Sequence, residues 1–203
     1  MTDASAADHL TVDDVVAAVA AHEPDVDPLD QAWTAATALV LATAGNGQAD
    51  VLFIERVRRA GDRWSGQMAL PGGKRDPEDV DLAATARRET LEEVGVDLPT
   101  AVGRLDDLRS PRRPGRVATF VHVVDGRPAT TPEPAEVAAV VWIPLTHLFD
   151  RTNSVRHFHR LVGPFAGIRH QHRTVWGLTL ATLDNLAAVI ERELPRPRGP
   201  LLG

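Results

Sequence analysis

One segment near the middle of the chain constrains the fold more than any other. Residues 76–94 have helical spacing, and Gly95 stops the run as a residue able to take the left-handed conformation at a helix end. At 100° per residue, Glu89, Glu92 and Glu93 fall within about 100° of one another. The acids therefore form one face of the helix. Ala83, Leu91 and Val94 lie opposite, with Arg87 among them, so that side is expected to lean on a sheet. The helix start has two candidates. Asp76-Pro77 has the form of an N-cap followed by proline at the first helical position, and Asp81 would cap a later start.

The remaining pattern supplies such a sheet. Thr11 caps a short amphipathic helix with apolar Val15, Val16 and Val19, which Pro24 and Pro28 end. Residues 35–43 and 51–57 read as strands joined through the turn Gly45-Asn46-Gly47. Further strands are expected at 102–108, 116–124 and 137–143, with a short helical turn over 145–149. Residues 157–175 have no clear assignment. A closing helix over 176–193 buries Leu180, Leu183, Leu186, Ala187 and Ile190. Helices and strands alternate irregularly, which predicts a mixed α/β sandwich and not a doubly wound parallel sheet. The expected organisation is an N-terminal tail and short helix over 1–34 packed on the domain, the domain itself over 35–194, and a flexible proline-rich tail over 195–203. The first ten residues are expected to fray.

Composition narrows the class. The chain has 203 residues, 43% hydrophobic and 25% charged, as a globular protein would have. No apolar run approaches the roughly 18 residues a membrane helix needs, and the acidic start lacks the form of a signal peptide. A cytoplasmic protein is expected. There is no cysteine, so disulfides, thiolate metal sites and cysteine nucleophiles are all excluded. The net charge of −6 argues against a nucleic-acid partner. Lys74 is the only lysine, so the positive charge is otherwise arginine, a planar donor suited to phosphate. Edge strands and the first helix would allow a homodimer, though nothing in the sequence requires one.

The acid face carries the chemistry. Two carboxylates about 5–6 Å apart repel by roughly 3 kcal/mol at an effective dielectric near 20, and a third adds to the cost. Arg88 reaches Glu92 at i+4, but one arginine cannot neutralise three acids. Hard oxygen ligands on a short arc suit Mg²⁺ or Mn²⁺, with water and substrate phosphate completing the octahedron. Upstream, Gly72 and Gly73 would let the backbone approach a metal or phosphate with no Cβ in the way.

The order Gly73 … Arg88-Glu89-x-x-Glu92-Glu93-x-Gly95-Val96 resembles the box of the Nudix hydrolase family. Three positions depart from it: Thr90 stands at an aliphatic position, Asp79 where the family has glutamate, and the spacer before Arg88 is one residue longer. The longer spacer is similar to that of the coenzyme A diphosphatase subgroup. Gly66-Gln67-Met68-Ala69-Leu70-Pro71-Gly72-Gly73 and Trp176-Gly177-Leu178-Thr179 also resemble that subgroup, whereas Arg56-Val57-Arg58-Arg59 does not keep its register. The resemblance covers about residues 35–194.

It implies a Nudix-type α/β/α sandwich with a mixed sheet, acting with Mg²⁺ or Mn²⁺ on a small-molecule nucleotide diphosphate. Glu89, Glu92 and Glu93 would hold the metal, with a carbonyl of Gly72 or Gly73 as a further ligand. Arg88 would orient the glutamates. A glutamate of a later loop would complete the site or act as base; Glu136, which opens a strand, is preferred over Glu133. Arg56, Arg58 and Arg59, and the loop arginines Arg112, Arg113 and Arg116, are candidate phosphate contacts. The implied substrate is coenzyme A or an acyl derivative. An ADP-ribose- or NADH-type diphosphatase and a silent nucleotide sensor are the alternatives. Isomerase chemistry on the same fold uses a cysteine, which this chain lacks. His157, His159, His170 and His172 alternate and invite a zinc reading, against which stands the absence of any cysteine or close carboxylate. Trp142 and Trp176 are expected in the core.

Overall fold

The structure, a computed structural model, describes residues 10–26, 34–61, 65–109, 115–159 and 163–197. Helix α1 (Val12–Ala21) starts at Thr11, whose hydroxyl accepts the Asp14 N–H while the Asp14 carboxylate accepts the Thr11 N–H, a reciprocal cap. Strands β1 (Thr34–Thr43) and β2 (Ala49–Arg56) form a hairpin. Two short strands follow, β3 (Met68–Ala69) and β4 (Gly72–Lys74), then α2 (Leu82–Val94). After α2 come β5 (Gly103–Arg104), β6 (Leu108–Arg109), β7 (Arg116–Val124) and β8 (Val137–Pro144). Helix α3 (Leu145–Phe149) and a 3-10 turn lead to β9 (Ser154–His159), β10 (Gly163–His170) and β11 (Arg173–Trp176). Helix α4 (Gly177–Val189) follows.

The main sheet is mixed. β1 runs parallel to β7 from Thr34↔Arg116 to Ala42↔Val124, and every other pairing is antiparallel. Alternation along β1 divides the core in two. Ala36, Ala38 and Val40 face α2, whereas Leu39 and Leu41 face α1, α3, α4 and the small sheet β9–β10–β11. Small alanines beneath α2 let the helix sit close to the sheet. The arrangement is the expected α/β/α sandwich with a mixed sheet.

Several expectations need correction. The later start of α2 prevails: the Asp81 carboxylate accepts the Ala84 N–H at 2.7 Å, and residues 76–79 form a separate turn. Gly95 ends the helix at φ 71°, where a Cβ would be strained. Leu91 does not pack against the sheet and is 49% exposed; Leu82, Ala86 and Val94 do, together with Glu93. The acid face thus rolls partly inward. Leu10 does not fray. It is buried, and its carbonyl accepts the Ala49 N–H. The start of the C-terminal tail also packs, with Pro195 buried and Arg196 ion-paired to Asp184. The expected strand over 102–108 is two short pieces, and the unassigned stretch is the small sheet. Among the described residues, no helix is long and apolar enough to cross a membrane.

His122 on β7 is fully buried on the α2 side, with Nδ1 donating to the Pro99 carbonyl at 2.8 Å and Nε2 without a hydrogen-bond partner among the described residues. Burial lowers its pKa, so the fold holds the neutral ring. The stability this contributes is present above the unfolded value near 6.5 and is lost as pH falls below it. His122→Gln retains a donor for Pro99 and removes the titration. The fall in melting temperature from pH 7.5 to 5.5 should be smaller in this variant than in the wild type. Equal falls would show that His122 is not coupled to folding.

Candidate active site

The site lies where β4, α2 and the loop before β8 meet. β4 pairs with β1 at Thr37↔Gly72 and Ala36↔Gly73. A Cβ on Gly72 would stand 2.3 Å from the Ala36 carbonyl oxygen, and its φ of 146° is itself unfavourable for other residues. A Cβ on Gly73 would meet the Glu89 carboxylate at 2.5 Å. Glycine at 72 thus lets β4 close on β1, and glycine at 73 lets the strand backbone lie directly under Glu89.

Arg88 organises those acids. Its Nε and Nη2 grip the two Asp79 oxygens at 3.0 Å each, and Nη2 also donates to the Lys74 carbonyl at 3.0 Å. Nη1 donates to Glu89 at 3.1 Å and to Glu92 at 3.0 Å. Five hydrogen bonds match the five N–H groups of a guanidinium. Asp79 is buried, accepts from the Asp76 N–H and the Thr85 hydroxyl, and is held well below the usual carboxylate range, chiefly by Arg88.

The three glutamates have different surroundings. Glu92 points outward, with its side chain 59% exposed beside Arg88. Glu93 is 2% exposed, and its Oε2 accepts the Gly72 N–H at 2.8 Å. Burial pushes its carboxyl up to about 8, against the pull of the Gly72 hydrogen bond, with Glu89 and Glu136 adding to the rise and Arg56 opposing it. Burial likewise raises Glu89, against Arg88, with Glu92 and Glu136 adding to the rise. Glu136, although exposed, thus lies within electrostatic reach of both inner glutamates. Glu133 does not share this position; its carboxylate accepts the Ala135 N–H and closes the turn.

The structure therefore brings together Glu89, Glu93, Glu136, Gly72, Gly73 and Arg56, with Arg88 behind them. Arg59 instead donates to the Ala135 carbonyl. Arg116 corrects the expectation of a basic loop. It opens β7, is 1% exposed, and pairs at 3.0 Å with a buried Asp107, so it offers nothing to a ligand. Arg112 and Arg113 lie outside the described residues. The histidines do not converge. His157 stacks on Trp176, His170 meets His147, and the β9–β10 register places His157 and His170 on opposite faces. The His159 side chain lies outside what is described. Trp176 is buried, and Trp142 is half-buried against the α2-side core. The residue that sequence reasoning undervalued is Asp79. Its signal was there, as the acid at the shifted box position, but its role as the seat of Arg88 depends on the turn between β4 and α2.

Among the described residues, no three acids or histidines already stand in metal-gripping geometry. The donor set nonetheless fits a divalent cation. Glu89 and Glu93 are both raised by burial and by neighbouring acids, which is what a pair of carboxylates short of positive charge looks like. All the donors are hard oxygens, as Mg²⁺ and Mn²⁺ prefer.

Residues 33–162 match the NUDIX domain family, and the chain belongs to that family. It is 33% identical over 177 residues to the mitochondrial coenzyme A diphosphatase NUDT8 of Homo sapiens, over 80% of this chain and 72% of that one. It is 41% identical over 107 residues to an uncharacterised protein of Schizosaccharomyces pombe, over 48% of this chain but only 32% of that protein. The uncharacterised Nudix hydrolase NudL of Yersinia pestis is 32% identical over 135 residues, over 62% of this chain and 65% of its own length. The chain thus spans about a third of the first of these microbial relatives and just under two thirds of the second. Among solved structures, a MutT/nudix family protein from Enterococcus faecalis aligns with a TM-score of 0.49 at 18% identity, over 78% of this chain and 56% of that one.

The raised Glu93 carboxyl has a direct consequence for the metal-free protein. Its unfolded value is near 4.5, so the fold binds this proton more tightly than the unfolded chain does. Stability is fully present below about 4.5 and is lost as pH rises through about 8. Glu93→Gln removes that loss. In chelator, the variant should melt higher than the wild type at pH 9, by several degrees for a difference of a few kcal/mol, and by much less at pH 5. A variant that melts lower at pH 9 would make Glu93 a structural acid.

Proposed function

We propose that the protein is a Mg²⁺- or Mn²⁺-dependent diphosphatase that hydrolyses coenzyme A or an acyl derivative to 3′,5′-ADP and a 4′-phosphopantetheine product. The observation that carries the hydrolase reading is the pair Glu89 and Glu93, desolvated over Gly72 and Gly73 with Arg88 shared by Glu89 and other acids and only the field of Arg56 on Glu93. The coenzyme A reading is supported by the box with its longer spacer and by the likeness to NUDT8, which extends over most of both chains.

Glu89 and Glu93 are the residues that would hold the metal, with Glu92 at the solvent side and the Gly72–Gly73 backbone beneath. Bound there, a divalent ion supplies charge neutralisation on the diphosphate oxygens and lowers the pKa of water. Arg88 keeps Glu89 and Glu92 in place through its bonds to both. Glu136, within electrostatic reach of both inner glutamates, would take the proton as water adds to phosphorus and the P–O bond to the leaving phosphate breaks. Arg56, whose charge acts on Glu93, would meet a phosphate oxygen.

Hydrolysis should stop in excess EDTA and return with Mg²⁺ or Mn²⁺. Full turnover in chelator removes the metal from the reading. Glu93→Gln should lower kcat by several orders of magnitude with the fold intact. Millimolar Mg²⁺ should raise the wild-type melting temperature by mass action, and Glu89→Gln should blunt the rise.

Substrate choice is tested by kcat/KM for coenzyme A, ADP-ribose, NADH and dinucleoside polyphosphates side by side. A tenfold preference for ADP-ribose or NADH, about 1.4 kcal/mol in the transition state, would overturn the coenzyme A assignment and leave the hydrolase.

A further inference from the structure

The turn that carries Glu136 is exposed from residue 131 to 136, yet it must hold an acid against two others. Acids that share one site repel when they ionise, so the turn has to be fastened. Its near end is tied to α2: the Thr131 and Glu133 N–H groups donate to the Val94 and Glu93 carbonyls, which the helix end leaves without internal partners. At its far end, the Glu136 carbonyl accepts the Val57 N–H. Between these, the carbonyl just before Glu136, that of Ala135, accepts the Arg59 guanidinium. Arg59 is itself fixed at the backbone, where its N–H donates to the Ser65 hydroxyl at 2.6 Å. Arg58 lies elsewhere, along Gly66.

We infer that Arg59 is a positioning residue, which holds the 133–136 turn by its Ala135 carbonyl and so keeps Glu136 facing Glu89 and Glu93. This rests on the proposed role of Glu136 and differs from a phosphate clamp, in which the guanidinium would meet substrate. The two roles separate in the kinetics. A clamp contributes to substrate binding and appears in KM, whereas a positioning residue acts through Glu136 and appears in kcat.

The test uses the full chain with Mg²⁺ and the diphosphate of highest kcat/KM. Arg59→Ala should lower kcat about tenfold, a part of what general base catalysis contributes, with KM nearly unchanged. Arg59→Lys should recover much of the loss, since an ammonium still donates to one carbonyl. The double variant Arg59→Ala, Glu136→Gln should be no slower than Glu136→Gln alone. Amide exchange at Glu136 and Val137 should be faster in Arg59→Ala than in the wild type. A raised KM with kcat preserved, additive losses in the double variant, or unchanged amide exchange each overturns the inference. If Glu136→Gln alone leaves kcat intact, the role of Glu136 in the reaction fails. The hold of Arg59 on the turn is then decided by the exchange rates alone.

Discussion

The guanidinium of Arg88 is the fixed point of the site. An arginine three-quarters buried among acids is costly unless each N–H has an acceptor, and here the acceptors come from three parts of the chain: the Asp79 turn, the Lys74 carbonyl of β4, and Glu89 and Glu92 of α2 itself. The bond to Lys74 pins β4 to the helix, and with it the two glycines. The bidentate grip on Asp79 sets the turn from which α2 starts. Together with the pairing of β4 to β1 and the Gly72 bond to Glu93, this ion pair holds a three-residue strand under the acid face.

The same arrangement leaves a deliberate imbalance of charge. Arg88 is committed to Asp79 first, so it cannot also satisfy Glu93, which has only a backbone N–H and the more distant field of Arg56. Placing a carboxylate in that position opposes folding, as buried unpaired acids do. It is the sort of local conflict that functional sites tolerate and cores avoid.

Much of the architecture was legible from pattern. β1, β2, β7 and β8 announced themselves through apolar runs between turn residues, and β7 fell on residues 116–124 as read. The two- and three-residue strands were not legible, because a partner strand defines them and their own composition does not. The small sheet was hidden for a related reason: among the described residues of its strands only Gly167, Ile168, Val175 and Trp176 are buried, and its histidines and arginines obscure the period of two. In the site, helical spacing located Glu89, Glu92, Glu93 and Arg88. It misjudged how far the helix is rolled, since the hydrogen bond that lets Glu93 turn inward comes from Gly72, 21 residues away. Arg116 was misread because an arginine at the edge of a basic loop looks solvated until Asp107 is seen beneath it.

The span that matches the family, residues 33–162, contains every glutamate of the candidate site but not everything that covers the central sheet. Leu10, Val15 and Val19 from before it, and Leu180, Leu183, Leu186 and Leu194 from after it, share one core with Leu39, Leu41 and Phe53 of the central sheet. A fragment trimmed to the matched boundaries would keep the chemistry on α2 while laying bare the opposite face of the same sheet, a broad apolar surface of the kind that drives aggregation. For expression and engineering, the family-matched span of this chain is therefore smaller than its folding unit.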